Sequence, residues 1–161
     1  MKSITRLLAL CLFLFCSAIT AHSQNIPEEG SVGLSASFQG NQTDLMVPIW
    51  ATEDIVIAPV LGIVHEADNF TSFNLGVKPR FYRSMGSNFA NYFGFQGLLQ
   101  HTSPEIGDDR TNFVLGVNGG GEYFLSNHFS LGVEGQLNWL LRDSNENRLS
   151  TGVALTGSYY F

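Results

Sequence analysis

The sequence predicts an all-β fold, an eight-stranded antiparallel transmembrane up-and-down β-barrel. Three features predict it: a secretory leader, long segments in which apolar and polar residues alternate, and an alternating C-terminal segment that ends on an aromatic residue. Eight strands leave an interior just wide enough for side chains, so we expect a filled, polar lumen.

The N-terminal residues 1–23 have the pattern of a cleaved signal peptide. Lys2 and Arg6 form a positive region, residues 7–15 form an apolar core, and Ala21 and Ser23 are small residues at the cleavage positions. The apolar core is shorter than the roughly 20 residues that span a bilayer as a helix. We therefore expect residues 24–161 to form one exported domain.

Composition narrows the function classes. The only two cysteines, Cys11 and Cys16, lie in the leader, so the exported domain holds no disulfide and depends on hydrogen bonding and burial for its stability. The chain carries a net charge of −6 and loses two cations with its leader. An acidic chain without a basic patch argues against nucleic-acid binding. No metal site and no cofactor are expected.

Beyond the leader, hydrophobicity repeats every second residue. In residues 129–141, mostly apolar residues alternate with small or polar ones, and residues 73–82 and 113–124 follow the same pattern. Soluble sandwiches also alternate, but their strands usually have about five or six residues. Strands that cross a bilayer need about 9 to 11, so the length of these segments favours a membrane barrel.

Eight such segments lie between turn signals, an even number that brings both termini to one side of the membrane. The second and third are the weakest because Pro48 and Pro59 lie inside them and proline cannot donate to a ladder. A bulge at either one is compatible with this prediction. The predicted strands cover residues 30–38, 44–51, 55–66, 71–82, 89–101, 110–124, 128–141 and 148–161.

A short repeat, Phe-x-Leu-Gly-Val-x, begins at Phe73, Phe113 and Phe129. Its glycine and its final residue point away from the apolar face, so the repeat supplies polar groups to the lumen. Four charged residues share that polar face, and a buried charge without a partner is costly, so we expect them to pair. The alternative is a gated conduction path. This lumen charge cluster comprises Lys78, Arg80, Glu122 and Glu134.

The C-terminal segment alternates up to Phe161, through Val153, Leu155, Gly157 and Tyr159. It resembles the terminal strand of bacterial outer-membrane proteins. Together with residues 123–134, it is similar to the small-barrel superfamily that includes the OmpX type and the barrel domain of the OmpA type. The resemblance implies that Tyr159 and Phe161 are recognised by the barrel-assembly machinery. It also implies a monomer in the outer membrane of a Gram-negative bacterium, in contact with its lipids and lipopolysaccharide.

With both termini in the periplasm, the connections near 39–43, 67–71, 102–109 and 142–147 are extracellular, and those near 52–54, 83–88 and 125–127 are periplasmic. All are short, which argues against a large adhesive structure. The outer connections carry several acids, among them Asp44 and Asp109, which we interpret as solvated loop charges. The alternative is that they meet divalent cations that bridge lipopolysaccharide phosphates.

One motif raises an enzymatic alternative. His101 and Ser103 lie on the lipid-facing register and resemble the His-x-Ser pair of lipid A deacylases, with Glu105 as the orienting carboxylate. Pro104 departs from that family, and no glutamate occupies the matching place on the next strand. The sequence therefore predicts a non-enzymatic barrel with a structural or surface-interaction role. The alternatives are a lipid A-modifying acyl hydrolase and a small-solute pore.

Overall fold

A computed structural model describes residues 25–66, 70–104, 109–141 and 147–161. The predicted leader at residues 1–23 and the carboxylate of Glu105 lie outside these ranges. Within them, no helix is long and apolar enough to cross a bilayer.

The described residues form an antiparallel sheet that closes on itself. Each strand pairs with the next along the chain, and the last pairs with the first, from Gly33 opposite Tyr160 to Phe38 opposite Leu155. The predicted fold class, an eight-stranded antiparallel barrel, is confirmed. The strands are β1 (Gly33–Gln39), β2 (Gln42–Met46 and Ile49–Trp50), β3 (Ile55–Glu66), β4 (Phe70–Ser84), β5 (Phe89–Pro104), β6 (Arg110–Phe124), β7 (Phe129–Leu141) and β8 (Arg148–Tyr160).

The prolines of β2 and β3 interrupt hydrogen bonding without shifting the register. Met46 faces Val60 and Ile49 faces Ile57, so the pairing of β2 with β3 runs in step past Pro48. Pro59 likewise keeps its place opposite Val77. Neither proline forms a bulge: each removes one N–H donor from the ladder, and the flanking pairs hold the alignment.

Strand β3 alternated poorly in the sequence because it is apolar on both faces. Its inward residues Val56, Ala58 and Val60 are buried, whereas Leu61 and Ile63 are exposed on the outside. The other strands place mostly polar or aromatic groups inside and mostly apolar groups outside, with Met46, Leu98 and Val114 as inward exceptions. The barrel is thus inverted relative to a soluble protein, with large hydrophobic side chains half exposed around its circumference.

The two ends of the barrel differ. The termini and the turns at 51–54, 85–88 and 125–128 lie at one end, called here the terminal end. Side chains hold these turns: the Thr52 hydroxyl accepts from the Ile55 amide at 3.1 Å, and the Ser126 hydroxyl accepts from the Phe129 amide at 3.2 Å. The opposite end, called the loop end, includes the tight turn at Gly40, whose φ of 58° suits glycine.

The wall is not level at the loop end. The hairpin of β1 and β2 turns at residues 40–41, and the ladder of β1 with β8 stops at Phe38 opposite Leu155. Strand β8, however, begins at Arg148, and β7 pairs with it up to that residue. Among the described residues, positions 148–154 of β8 therefore have a strand partner on one side only. This uneven margin is called the rim step.

Candidate functional site

An aromatic plug fills the lumen at the terminal end. The Trp50 ring lies 4.8 Å from the Tyr82 ring, which lies 4.9 Å from Tyr92, measured between centroids. Ile26, which precedes the first strand, packs against the plug from below. These rings face inward because each occupies the buried register of its strand. The plug comprises Trp50, Val56, Tyr82, Ala90, Tyr92, Phe124 and Tyr160.

An ion cluster lies above the plug. Lys78 Nζ is 3.0 Å from Asp44 Oδ2 and 3.9 Å from Glu134 Oε1, and Arg80 Nη2 is 2.7 Å from Glu134 Oε2. The Tyr92 hydroxyl donates to Glu134 at 2.8 Å, and the Arg80 guanidinium lies 4.8 Å from the centre of the Tyr92 ring. These charges are almost fully buried, so their mutual contacts replace water.

Glu122 is stabilised differently from the other charged residues on the lumen face. Its carboxylate accepts hydrogen bonds from the hydroxyls of Tyr82 at 2.6 Å, Tyr160 at 3.0 Å and Ser130. No cation within the described ranges forms an ion pair with it, although pairing of all four charged residues was expected. Hydroxyl donors satisfy a carboxylate through charge-assisted hydrogen bonds. Glu122 is thus held by the plug and Ser130, and it is the Tyr92 hydroxyl, bonded to Glu134, that joins the plug to the ion cluster.

Sequence reasoning missed one member of the ion cluster. Asp44 was interpreted as a solvated loop charge, but it lies on β2, is 2% exposed and pairs with Lys78. The interpretation as a loop residue is therefore wrong. The available signal was its parity, because Asp44 shares the inward register of Met46 and Trp50.

A second apolar group and a chamber occupy the lumen towards the loop end. Met46, Ala58, Val60, Leu98 and Val114 form the apolar group, with Leu140 packed against it. Beyond it lies a cavity of about 160 Å³ that is rich in carboxamides. This loop-end chamber is lined by Gln42, Asn74, Gln96, Leu98, Gln100, Val114, Asn138, Leu140, Arg148 and Ser150.

The residues of the enzymatic alternative do not form a triad in the described ranges. His101 is exposed, its Nδ1 lies 3.1 Å from the Thr111 hydroxyl, and its Nε2 lies 3.7 Å from Asp109 Oδ2. The partners of the imidazole are thus residues of and next to β6 rather than Ser103. Glu105 lies outside the described residues, and no group of metal-ligating side chains occurs in the part of the chain that the structure describes.

The two aromatic residues at the C-terminus lie on the outer surface. Tyr159 and Phe161 pack edge to face with their centroids 5.4 Å apart, and both are exposed. The Phe161 amide donates to the Val32 carbonyl at 2.9 Å, which extends the closing ladder by one rung.

Solved structures share this architecture. The N-terminal β-barrel domain of Pseudomonas aeruginosa OprF is 11% identical and aligns over 83% of this chain and 98% of its own, with a TM-score of 0.67. Neisserial surface protein A is 15% identical over 81% of this chain and 94% of its own, with a TM-score of 0.61. A designed transmembrane β-barrel is 13% identical over 83% and 98%, with a TM-score of 0.50.

No protein-family model and no curated protein sequence matches the chain. At such low identities, the structural likeness establishes the fold and leaves the activity open. The chain therefore has the fold of the small eight-stranded outer-membrane barrels, and the resemblance to the OmpX type and to the barrel domain of the OmpA type is confirmed at the level of fold.

Proposed function

We propose that this protein is an integral outer-membrane β-barrel of a Gram-negative bacterium with a structural or surface-interaction role and a lumen closed to solutes. One observation carries the proposal: large apolar side chains face outward on every strand, while aromatic and ionic groups block the interior. A wall of this kind suits a hydrocarbon environment, and a blocked interior suits neither transport nor filtration.

The apolar belt supports the membrane assignment. Leu75, Leu155 and Val153 are each more than 60% exposed, and comparable residues encircle the barrel. A soluble monomer rarely exposes an apolar patch larger than a few hundred Å². Lipid chains, including those of lipopolysaccharide, would cover the belt in the proposed setting.

Fractionation of cell membranes tests the location. We expect the full chain in the outer-membrane fraction after density-gradient separation. A variant that lacks residues 1–23 should remain in the cytoplasm, because those residues have the pattern of an export signal. Recovery of the full chain in the inner membrane or in a soluble fraction would contradict the proposal.

Conductance tests the closed lumen. A continuous aqueous path would have to pass the plug and separate Arg80 from Glu134, and uncompensated buried charges cost several kcal/mol. The purified protein in planar bilayers should give at most rare, small openings. Stable channels that carry sugars would support the pore alternative instead.

Lipid analysis tests the expectation that the barrel is not an enzyme. The contacts of His101 with Thr111 and Asp109 give no support to a hydrolase. Mass spectra of lipid A from cells with and without the protein should therefore show the same acyl chains. Loss of an acyl chain only when the protein is present would overturn this part of the proposal.

A further inference from the structure

The carboxamides around the loop-end chamber are connected to the ion cluster below it. On one side, Gln42 Nε2 donates to Asp44 Oδ1 at 2.8 Å, and the other oxygen of Asp44 accepts from Lys78. An ionised carboxylate can only accept hydrogen bonds, so it must receive the NH₂ group of Gln42. The carbonyl oxygen of Gln42 is then left for the chamber.

A longer relay of side-chain hydrogen bonds runs along the opposite wall towards the loop end. Gln136 Nε2 donates to Glu134 Oε1 at 2.7 Å, Asn138 Nδ2 donates to Gln136 Oε1 at 3.3 Å, and Gln96 Nε2 donates to Asn138 Oδ1. Each amide gives its NH₂ group downward and its oxygen upward. The carboxylate at the base thus fixes the orientation of every amide above it.

The relay ends on an acceptor without a partner. Gln96 is 3% exposed, and its Oε1 has no hydrogen-bond partner among the described residues. Gln100 Nε2 donates to Asn74 Oδ1 at 3.1 Å, so this contact does not use the carbonyl oxygen of Gln100. The Gln96 oxygen is itself closed off from the cavity, so the amide oxygens left for an occupant of the chamber are those of Gln42 and Gln100.

The mouth of the chamber carries the complementary groups. Arg148 and Ser150 line it from β8, and Arg148 forms no ion pair with any residue in the described ranges. Among the described residues, no carboxylate lines the cavity, whereas Leu98, Val114 and Leu140 supply an apolar floor. A ligand that complements this cavity has hydroxyl donors inside, an anionic group at the mouth and a small apolar face. A sugar ring that carries an acidic group has all three.

We infer that the loop-end chamber binds an acidic sugar, a polyhydroxylated ring that bears a carboxylate or a phosphate. The ring hydroxyls donate to the oxygens of Gln42 and Gln100, and the acidic group meets Arg148. The inference rests on the proposed function only for the side of the membrane that the chamber faces, so binding in vitro tests it independently.

The rim step gives the chamber a lateral entrance. Gln42 begins β2 just after the low hairpin turn, and Arg148 and Ser150 lie on the single-sided part of β8. The wall between them is lowest at this point. A sugar can therefore reach the chamber from the aqueous side or as the head group of a lipid beside the barrel.

Calorimetric titration tests the inference. Residues 24–161 are folded in lauryldimethylamine oxide, whose head group is neither a sugar nor a phosphate, and are titrated with glucose 6-phosphate, glucuronate, glucose and inorganic phosphate. We expect saturable binding of the two acidic sugars. The affinities for glucose and for phosphate should be weaker by a factor of about ten or more. An absence of saturable binding by both acidic sugars would overturn the inference.

Variants locate the bound ligand. Arg148→Gln should reduce the affinity for acidic sugars to that for glucose, and Gln100→Leu should weaken glucose as well. The matched control is Arg83→Gln, an exposed arginine at the terminal end, which should change nothing. Equal losses in Arg148→Gln and Arg83→Gln would show that the arginines attract anions nonspecifically, and the inference would fail. Circular dichroism confirms that each variant is folded.

A competition arm identifies the source of the sugar. Lipopolysaccharide in mixed micelles should displace glucose 6-phosphate if a lipid head group enters over the rim step. Binding that is unchanged by lipopolysaccharide would assign the chamber to soluble acidic sugars.

Discussion

The guanidinium of Arg80 lies 2.7 Å from the carboxylate of Glu134, and both side chains are closed off from solvent. Lys78 lies between that carboxylate and Asp44. These contacts connect β2, β4 and β7, which lie on different sides of the barrel. The ion cluster therefore fixes the cross-section of the lumen, and its removal has consequences for the whole wall.

Removing one charge should destabilise the barrel strongly. Lys78→Met removes the cation that pairs with the buried Asp44 carboxylate. Among the contacts described above, only the hydrogen bond from Gln42 to Asp44 is then left. Breaking a buried pair by removing one partner costs about 3–5 kcal/mol. Urea unfolding in micelles should show a loss of this size in the free energy of unfolding.

The double variant Lys78→Met with Asp44→Leu is the control for that measurement. It removes both partners, so most of the stability should return, because no uncompensated charge is left. If the single and the double variant unfold at the same urea concentration, the pair of Lys78 and Asp44 is solvated. The proposal of a closed lumen would then be wrong.

Adjacent glycines on β6 should respond in opposite ways to a methyl group. A Cβ at Gly120 would clash with the Val133 carbonyl oxygen and lie 2.9 Å from the Tyr92 hydroxyl oxygen, whereas a Cβ at Gly119 meets its nearest neighbour at 3.5 Å. Gly120→Ala should cost about 1–3 kcal/mol through overpacking. Gly119→Ala should be neutral or slightly stabilising, as a strand glycine is replaced at a permissive site. Equal unfolding midpoints would contradict the close packing of Val133 and Tyr92 around Gly120.

The plug and the ion cluster should block conduction independently. Trp50→Ala removes the largest ring of the plug and should cost about 3–5 kcal/mol of stability. Conductance in planar bilayers should nevertheless stay at the wild-type level because the ion cluster above the plug is intact. Phe38→Ala, on the exposed face of β1, is the control and should lose less stability. Stable channels in Trp50→Ala would show that the plug alone closes the lumen.

Deletion of Phe161 should impair assembly more than stability. The side chain is 71% exposed and contributes one backbone hydrogen bond, so its loss removes little from the folded barrel. Insertion into vesicles that contain the barrel-assembly machinery should slow, while the urea midpoint of barrels already folded stays close to wild type. Met85→Ala, an equally exposed apolar residue at the same end, should insert normally. Insertion of the deletion variant at the wild-type rate would exclude Phe161 as an assembly signal.

The rim step should be visible in hydrogen exchange. Amides of residues 148–154 that point towards β1 have no ladder acceptor among the described residues, so they should exchange faster than those of residues 113–119 on β6. Mass spectrometry of deuterated peptides measures the difference. Equal protection of the two segments would mean that the wall is closed at this point.

Periodicity predicted which face of each strand is buried, because the side-chain period of two is a local property of the chain. It placed Lys78 and Glu134 inside from their positions in the Phe-x-Leu-Gly-Val-x repeat. Strand ends were less predictable: β5 was expected to stop at residue 101 but continues to Pro104, since its neighbours β4 and β6 supply ladder partners there.

The partners of the inward charges could not be predicted from the pattern. Asp44 follows a polar turn and resembles a loop acid until Lys78, 34 residues away, lies opposite it in the closed ring. Glu122 was expected to pair with a cation, but the relative stagger of the strands brings three hydroxyls to it instead. Stagger is a property of the whole barrel, so no single segment encodes it.

The aromatic plug closes one end of the barrel, so the lumen is open at the loop end only. Trp50, Phe124 and Tyr160 seal the terminal end, so whatever occupies the chamber must enter and leave at the loop end. No net flux can result from such a cycle. The occupancy of the chamber then depends only on the concentration of ligand on one side of the membrane. The protein would respond to that concentration and would not transport the ligand.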